Sequence, residues 1–161
     1  AVDVGIRVGN LPEGSGTAKL IGQMRRMIVA APAYLAKYGT PQVPGALGAH
    51  RIVGGPASTQ SSSWRFEKDG ETVVVDVRAH VSTNDTAGAL AAAAGGLGIT
   101  STTSWACRFE LERGALVQIF PDWETAALPV HAYYPMGRAT RIAARAFVDF
   151  LSADLVRDPP A

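Results

Sequence analysis

Short runs of alternating apolar and polar residues, interrupted by helical stretches, occupy most of this chain. Residues 2–8 (Val2-Asp3-Val4-Gly5-Ile6-Arg7-Val8) keep the two-residue period of a half-buried strand. Residues 11–17, rich in Gly, Pro and Ser, read as a loop. Residues 24–30 read as the next strand. Pro32 suits the first position of a helix, where its missing N–H costs nothing. That helix runs to about Tyr38, Gly39 ends it, and Pro41 and Pro44 space it from a short helix at 46–49. A strand at 51–53 and a Gly/Ser/Thr loop at 54–63 follow.

Residues 64–68 and 71–77 alternate on either side of Asp69-Gly70, the strongest short-range signal for a hairpin. Residues 79–82 form another strand. Asn84 or Asp85 then caps a helix that runs to Ala94 and stops at Gly95-Gly96. A strand at 97–100 leads into the hydroxyl run at 100–104, read as the opening of a helix to about Leu111. Residues 115–120 and 129–134 are strands. Thr140 caps a last helix, with Ile142, Ala146, Phe147, Phe150 and Leu151 on one face. The Pro-bearing tail at 157–161 is expected to be loose. This alternation of strands and helices predicts an α/β fold with mostly parallel pairing. In such sheets ligands gather beyond the carboxyl ends of the strands, close to helix N-termini.

The 161 residues suffice for one domain or two small lobes. With 47% hydrophobic and 18% charged residues, the chain is globular rather than disordered. Fifteen basic residues against 14 acidic ones give a net charge of +1, so there is no basic surplus to neutralise phosphates. The single cysteine, Cys107, can form neither an internal disulfide nor a thiolate metal site. No signal peptide is visible, and the apolar run at 87–99 is too short to cross a bilayer. The chain opens directly on a strand, as a fragment with earlier strands missing would.

Several segments together resemble the sensing domain of LysR-type bacterial transcription regulators. Asp3-Val4-Gly5-Ile6-Arg7-Val8-Gly9 resembles the strand closing the first half of that domain. Ile28-Val29-Ala30-Ala31-Pro32-Ala33-Tyr34-Leu35, followed by Gly39-Thr40-Pro41, resembles the start of its second lobe. Trp64-Arg65-Phe66 with Gly70 matches the hairpin, and Thr83-Asn84-Asp85 with residues 91–99 matches a strand–helix unit. Gly114-Ala115-Leu116-Val117, Pro121-Asp122-Trp123, Tyr133-Tyr134-Pro135 and Ala146-Phe147-Val148-Asp149-Phe150-Leu151 complete the series. The order and spacing of these pieces carry the likeness more than any one of them.

The resemblance implies a two-lobed, type 2 periplasmic-binding-protein-like α/β fold with an incomplete first lobe. That lobe takes residues 1–23 and 130–161, and the second lobe takes 24–129. It also implies a small-molecule effector held between the lobes, a homo-oligomer, and a cytoplasmic bacterial protein. DNA contact then falls to an N-terminal winged helix-turn-helix absent from this chain. No cofactor and no membrane contact are implied.

The candidate ligand-binding residues are Arg7, Thr83, Asn84, Asp85, Thr86, Thr102, Thr103, Trp105 and Tyr133. Short polar side chains at 83–86 can hold an anion beside a helix start, and their alternative role is capping. Thr102 and Thr103 belong to the second hydroxyl run; many members of the resembled family carry proline where Thr103 stands. Trp105 can stack on an aromatic effector or pack in the core. Arg7 can make a bidentate contact to a carboxylate or a structural salt bridge. One of Tyr133 and Tyr134 faces a ligand and the other packs. Together these groups favour a small organic anion. The serines at 58–63 are either ligand contacts or a solvated loop.

Other chemistries find little support. His50, His80 and His131 share no metal-ligand spacing. There is no Gly-x-Ser-x-Gly elbow. Gly95-Gly96-Leu97-Gly98 follows a helix and precedes a strand, the reverse of a phosphate cradle; it reads as a helix stop with tight helix–sheet packing. Three rival readings remain: a solute-binding protein of a transporter, an enzyme on the same architecture, and a dimerising scaffold with no effector. The enzyme would need a clustered catalytic set that the sequence lacks.

Overall fold

The computed structural model describes residues 2–9, 11, 17–56, 63–135 and 142–157. The chain divides into two units, Ala1–Arg25 with Ala127–Ala161, and Arg26–Ala126. Its elements begin with β1 (Gly5–Val8), β2 (Thr17–Met24), β3 (Arg26–Ala30), α1 (Pro32–Tyr38), a 3-10 turn (Pro44–Ala49) and β4 (Ile52–Gly54). Then come β5 (Ser63–Lys68), β6 (Glu71–Asp76), β7 (Ala79–Ser82), α2 (Thr86–Ala94) and β8 (Ile99–Thr103). The order ends with α3 (Arg108–Glu112), β9 (Val117–Ile119), β10 (Glu124–Thr125), β11 (Leu128–Tyr134) and α4 (Ile142–Arg157). The expected cap Thr140, the serines at 58–62, most of the 11–17 loop and the tail beyond Arg157 lie outside the described residues.

The first unit is a three-stranded antiparallel sheet, β1-β11-β2, with α4 against it. Its first strand starts at Gly5, not at Val2 as the alternation predicted. β2 was not expected at all. Composition places Thr17 in a loop and the pattern places Met24 in the following strand, but residues 17–24 form one strand paired to β11. Only Ile21 and Met24 of β2 are buried, so the strand lacks a clean alternation to read. It is specified by its distant partner, and a register shift in β11 between Val130 and His131 accommodates it. The expected 24–30 strand is divided at Arg25, with Met24 in one unit and β3 in the other.

The last helix buries a different face from the one expected. Ala144 and Val148 are buried, with Leu151 and Leu155 packed beside them, while Ile142, Phe147 and Phe150 are exposed. Leu155 sits 3.3 Å from where a Cβ on Gly22 would lie, so the glycine lets the helix approach β2 closely. Val148→Ala is expected to cost about 2 kcal/mol by urea melting. Phe150→Ala should stay within about 0.5 kcal/mol of wild type. Equal effects would reverse this assignment of faces.

The second unit holds a five-stranded sheet, β7-β4-β8-β3-β9, and the smaller sheet β10-β5-β6. The expectation of mostly parallel pairing fails. Among the described residues only β4–β7 and β4–β8 are parallel, and the other pairings are antiparallel. Parallel neighbours need a crossover between them, and β7–α2–β8 supplies one beside β4. β3 runs against both of its neighbours.

The β5–β6 hairpin turns at Asp69 and Gly70, with φ of 52° and 80°, the left-handed pair that this dipeptide favours. β5 alternates strictly, burying Trp64 and Phe66. These join Ile28, Val29, Tyr34, Leu47, Ile99, Leu116 and Phe120 in the core. Tyr34 is 2% exposed, and its hydroxyl accepts from Arg51 N at 2.9 Å and lies 3.2 Å from His50 Nδ1. Partial burial lowers the His50 pKa.

Candidate functional site

β4, β7 and β8 are mutually parallel, so their carboxyl ends share one edge of the five-stranded sheet. β3 is antiparallel to β8, which brings its first residue, Arg26, to that same edge opposite Thr103. Two of the expected polar loops therefore converge. Thr83–Thr86 follows β7, and the run at 100–105 ends β8. Thr83 N donates to Gly54 O at 2.8 Å and ties the first of these loops to the end of β4.

At the start of α2 the cap is Asp85, whose carboxylate accepts from Gly88 N at 2.7 Å. Thr83 Oγ1 donates to Asp85 O at 2.7 Å. This helix start already carries its own carboxylate, so it offers an incoming anion little positive field. Asn84 and Thr86 are exposed.

The hydroxyl run does not open a helix as expected. β8 continues through Thr103, a turn occupies 104–107, and α3 begins only at Arg108. Pairing of β8 with both β3 and β4 overrides the helix-start preference of Ser and Thr. Thr100 Oγ1 donates to Val53 O at 2.9 Å. Thr103 Oγ1 accepts from Ala106 N at 3.3 Å. Trp105 is 59% exposed, so core packing is not its role. Cys107 is fully buried, its thiol donates toward Thr103 O at 3.3 Å, and burial raises its pKa to about 11. It is poorly suited to react as a thiolate.

Four buried polar side-chain atoms have no hydrogen-bond partner among the described residues: Arg26 Nε, Thr102 Oγ1, Ser104 Oγ and Trp64 Nε1. Three of them belong to this edge. Arg26, which the sequence reading overlooked, donates from Nη1 to Ser101 Oγ at 3.3 Å. Burial lowers its pKa. A signal was available in the sequence, namely two adjacent arginines at the start of an apolar strand. Nothing local showed that the hydroxyl run would lie beside them.

Arg7 and Tyr133 are on adjacent strands of the first unit's sheet. Arg7 is exposed and in register with His131. The Tyr133 ring packs over Gly5, within 2.9 Å of where a Cβ would sit. The three histidines have separate roles. His50 meets Tyr34, His80 Nδ1 accepts from Ile52 N, and His131 Nδ1 lies 3.3 Å from Gly9 O. Among the described residues no group of His, Cys, Asp or Glu is placed to hold a metal ion. No helix among them is long and apolar enough to cross a membrane.

Comparison with known proteins fits this architecture. The family model of the LysR substrate binding domain matches residues 1–155. The HTH-type transcriptional regulator PtxR of Pseudomonas aeruginosa is 30% identical over 161 residues, covering 98% of this chain and 51% of PtxR. The probable HTH-type transcriptional regulator LtrA of Klebsiella pneumoniae is 32% identical over 123 residues, covering 76% of this chain and 40% of LtrA. Full-length AphB of Vibrio cholerae superposes with a TM-score of 0.77 at 30% identity, covering 94% of this chain and 51% of AphB. The regulatory domain of CrgA, a LysR-type regulator of Neisseria meningitidis, gives a TM-score of 0.80 at 25% identity over 96% of this chain and 76% of that domain.

The chain belongs to the LysR substrate binding domain family, the regulatory domains of LysR-type transcriptional regulators, which have the type 2 periplasmic-binding-protein-like fold. It spans about half the length of the curated relatives it matches.

Proposed function

We propose that this chain senses a small-molecule effector for a LysR-type regulator, and that the effector meets the edge where β4, β7 and β8 end. One observation carries this reading: two polar loops from separate parts of the sequence share that edge with buried hydroxyls that have no partner among the described residues. Buried polar groups are normally hydrogen-bonded, and unpaired ones mark a place where a ligand can complete the bonding. Asn84, Thr86, Thr102 and Trp105 are the assigned contacts, with Thr83, Asp85 and Thr103 holding the loops in shape. A small organic anion fits a site of hydroxyl donors.

The relatives named above are HTH-type regulators about twice as long as this chain. This supports assigning DNA contact to a helix-turn-helix segment outside residues 1–161, and a cytoplasmic, homo-oligomeric, non-enzymatic protein. It gives the transporter rival no support. Effector binding would shift the balance between two arrangements of the oligomer and so alter DNA binding.

The test is a thermal-shift screen of the natural full-length protein against carboxylates, aromatic acids and neutral aromatics. At about 100 times its Kd, an effector should add roughly 2.7 kcal/mol of stability. Thr102→Ala and Asn84→Ala should each weaken that response without unfolding the protein. A screen in which no compound raises the melting temperature would falsify the assignment.

A further inference from the structure

Arg26 differs from the ion-paired cations of its unit. Arg65 Nε lies 2.8 Å from Glu67 Oε1, Arg108 Nε 2.9 Å from Glu112 Oε1, and Lys68 Nζ 3.6 Å from Asp122 Oδ2. Arg26 is half-buried, yet among the described residues it has only a neutral hydroxyl for a partner, Ser101 Oγ at 3.3 Å. Its Nε is buried and has no partner among the described residues. A buried cation without a counter-charge is costly, and proteins normally pair it or exclude it.

The main chain beneath it is held firmly. Arg26 pairs with Thr103 in the β3–β8 ladder, and Thr125 Oγ1 donates to Arg26 O. Strand alternation puts Ser101 and Thr103 on the same face of the sheet as Arg26. Ser101 is 6% exposed and accepts from the guanidinium, which leaves its own proton for an acceptor. Arg26 as a residue is half-buried, with its Nε buried. The arrangement is a forked donor, fixed in place, with a hydroxyl donor beside it. A carboxylate oxygen pair matches that fork in plane and spacing.

We infer that Arg26 is the charge anchor of the effector site and that, with Ser101, it selects a carboxylate over a neutral ligand of the same shape. This rests on the effector-sensing reading and adds to it a residue and a ligand class. It also implies that the ligand-free protein carries a cation with no counter-charge among the described residues, whose removal costs the fold little.

The experiment uses sodium acetate and sodium benzoate as probes, with acetamide and benzamide as neutral counterparts, at constant ionic strength on the natural full-length protein. In wild type the carboxylates should raise the melting temperature by roughly 3–5 °C at saturation, and the amides should not. Arg26→Met should abolish the carboxylate response and leave the ligand-free melting temperature equal to or above that of wild type. Arg26→Lys, which keeps the charge and loses the fork, should retain a weaker response. The inference fails if wild type gains nothing from either carboxylate, or if Arg26→Met responds as wild type does. It also fails if Arg26→Met melts several degrees lower without ligand, since the residue is then a structural strut. A neutral compound that stabilises wild type and Arg26→Met equally would leave effector sensing standing and remove Arg26 from it.

Discussion

Phe66→Ala should lower stability by about 3–5 kcal/mol, the largest effect expected of any single side-chain truncation in this protein. Phe66 is fully buried and meets Phe120 edge to face, with ring centroids 5.6 Å apart. It lies in register with Val73 and beside Thr125 of β10, so it anchors the small sheet to the core of the second unit. The loss combines apolar transfer, a cavity the neighbours fill only in part, and an aromatic pair worth about 1 kcal/mol. Urea melts give the test directly. Phe66→Leu, which keeps most of the volume, should recover more than half of the loss. If both variants melt like wild type, the hairpin is not part of the core.

Gly98→Ala should be nearly as damaging, by about 3 kcal/mol. A glycine-to-alanine change usually stabilises where the backbone allows it, by about 0.4–1 kcal/mol. Here a Cβ would lie 2.4 Å from Arg51 O and 2.9 Å from Arg51 C. Both atoms are backbone and cannot swing aside. The same Arg51 O accepts from Ile99 N at 2.8 Å, so relieving the clash would break the hydrogen bond that aligns β8 with β4. Because β8 carries the hydroxyls of the proposed ligand edge, effector-dependent stabilisation should fall along with the melting temperature. Gly96→Ala makes a useful contrast. Its φ of 79° strains any side chain, but nothing lies within 4 Å, so its cost should stay near 1 kcal/mol. Gly98→Ala melting no lower than Gly96→Ala would refute the close-approach account.

The tight packing expected around Gly95-Gly96-Leu97-Gly98 is real, but its partner is the backbone at Arg51 rather than a helix. Gly95 and Gly96 do end α2, with Gly96 N donating to Ala93 O and Leu97 N to Ala92 O. Asp85 proved to be the cap that Asn84 or Asp85 had been expected to supply. In each case a residue type and its immediate neighbours specify the local geometry, so the sequence can be read. The opposite holds for the last helix. Its apolar residues cover more than one face, and only contact with Ile21, Met24 and Val130 chooses Ala144 and Val148 over Phe147 and Phe150. Composition alone favoured the bulky aromatics.

The candidate site was legible only in part, for the same reason. The hydroxyl-rich stretches and Trp105 announce themselves in one dimension. Arg26 does not, because its partner Ser101 lies 75 positions away and the two meet only once β3 and β8 pair.

The sequence by itself determined the Asp85 cap, the helix stops at Gly39 and at Gly95-Gly96, the β5–β6 hairpin, and membership of the LysR family. These rest on short-range backbone preferences and on the order of local segments. The tertiary structure alone decided that β2 is a strand, that most pairings are antiparallel, and which face α4 buries. It also decided that a half-buried arginine would stand beside the hydroxyl of Ser101. Each of these depends on strand register and burial between residues far apart in the chain, which no local preference encodes.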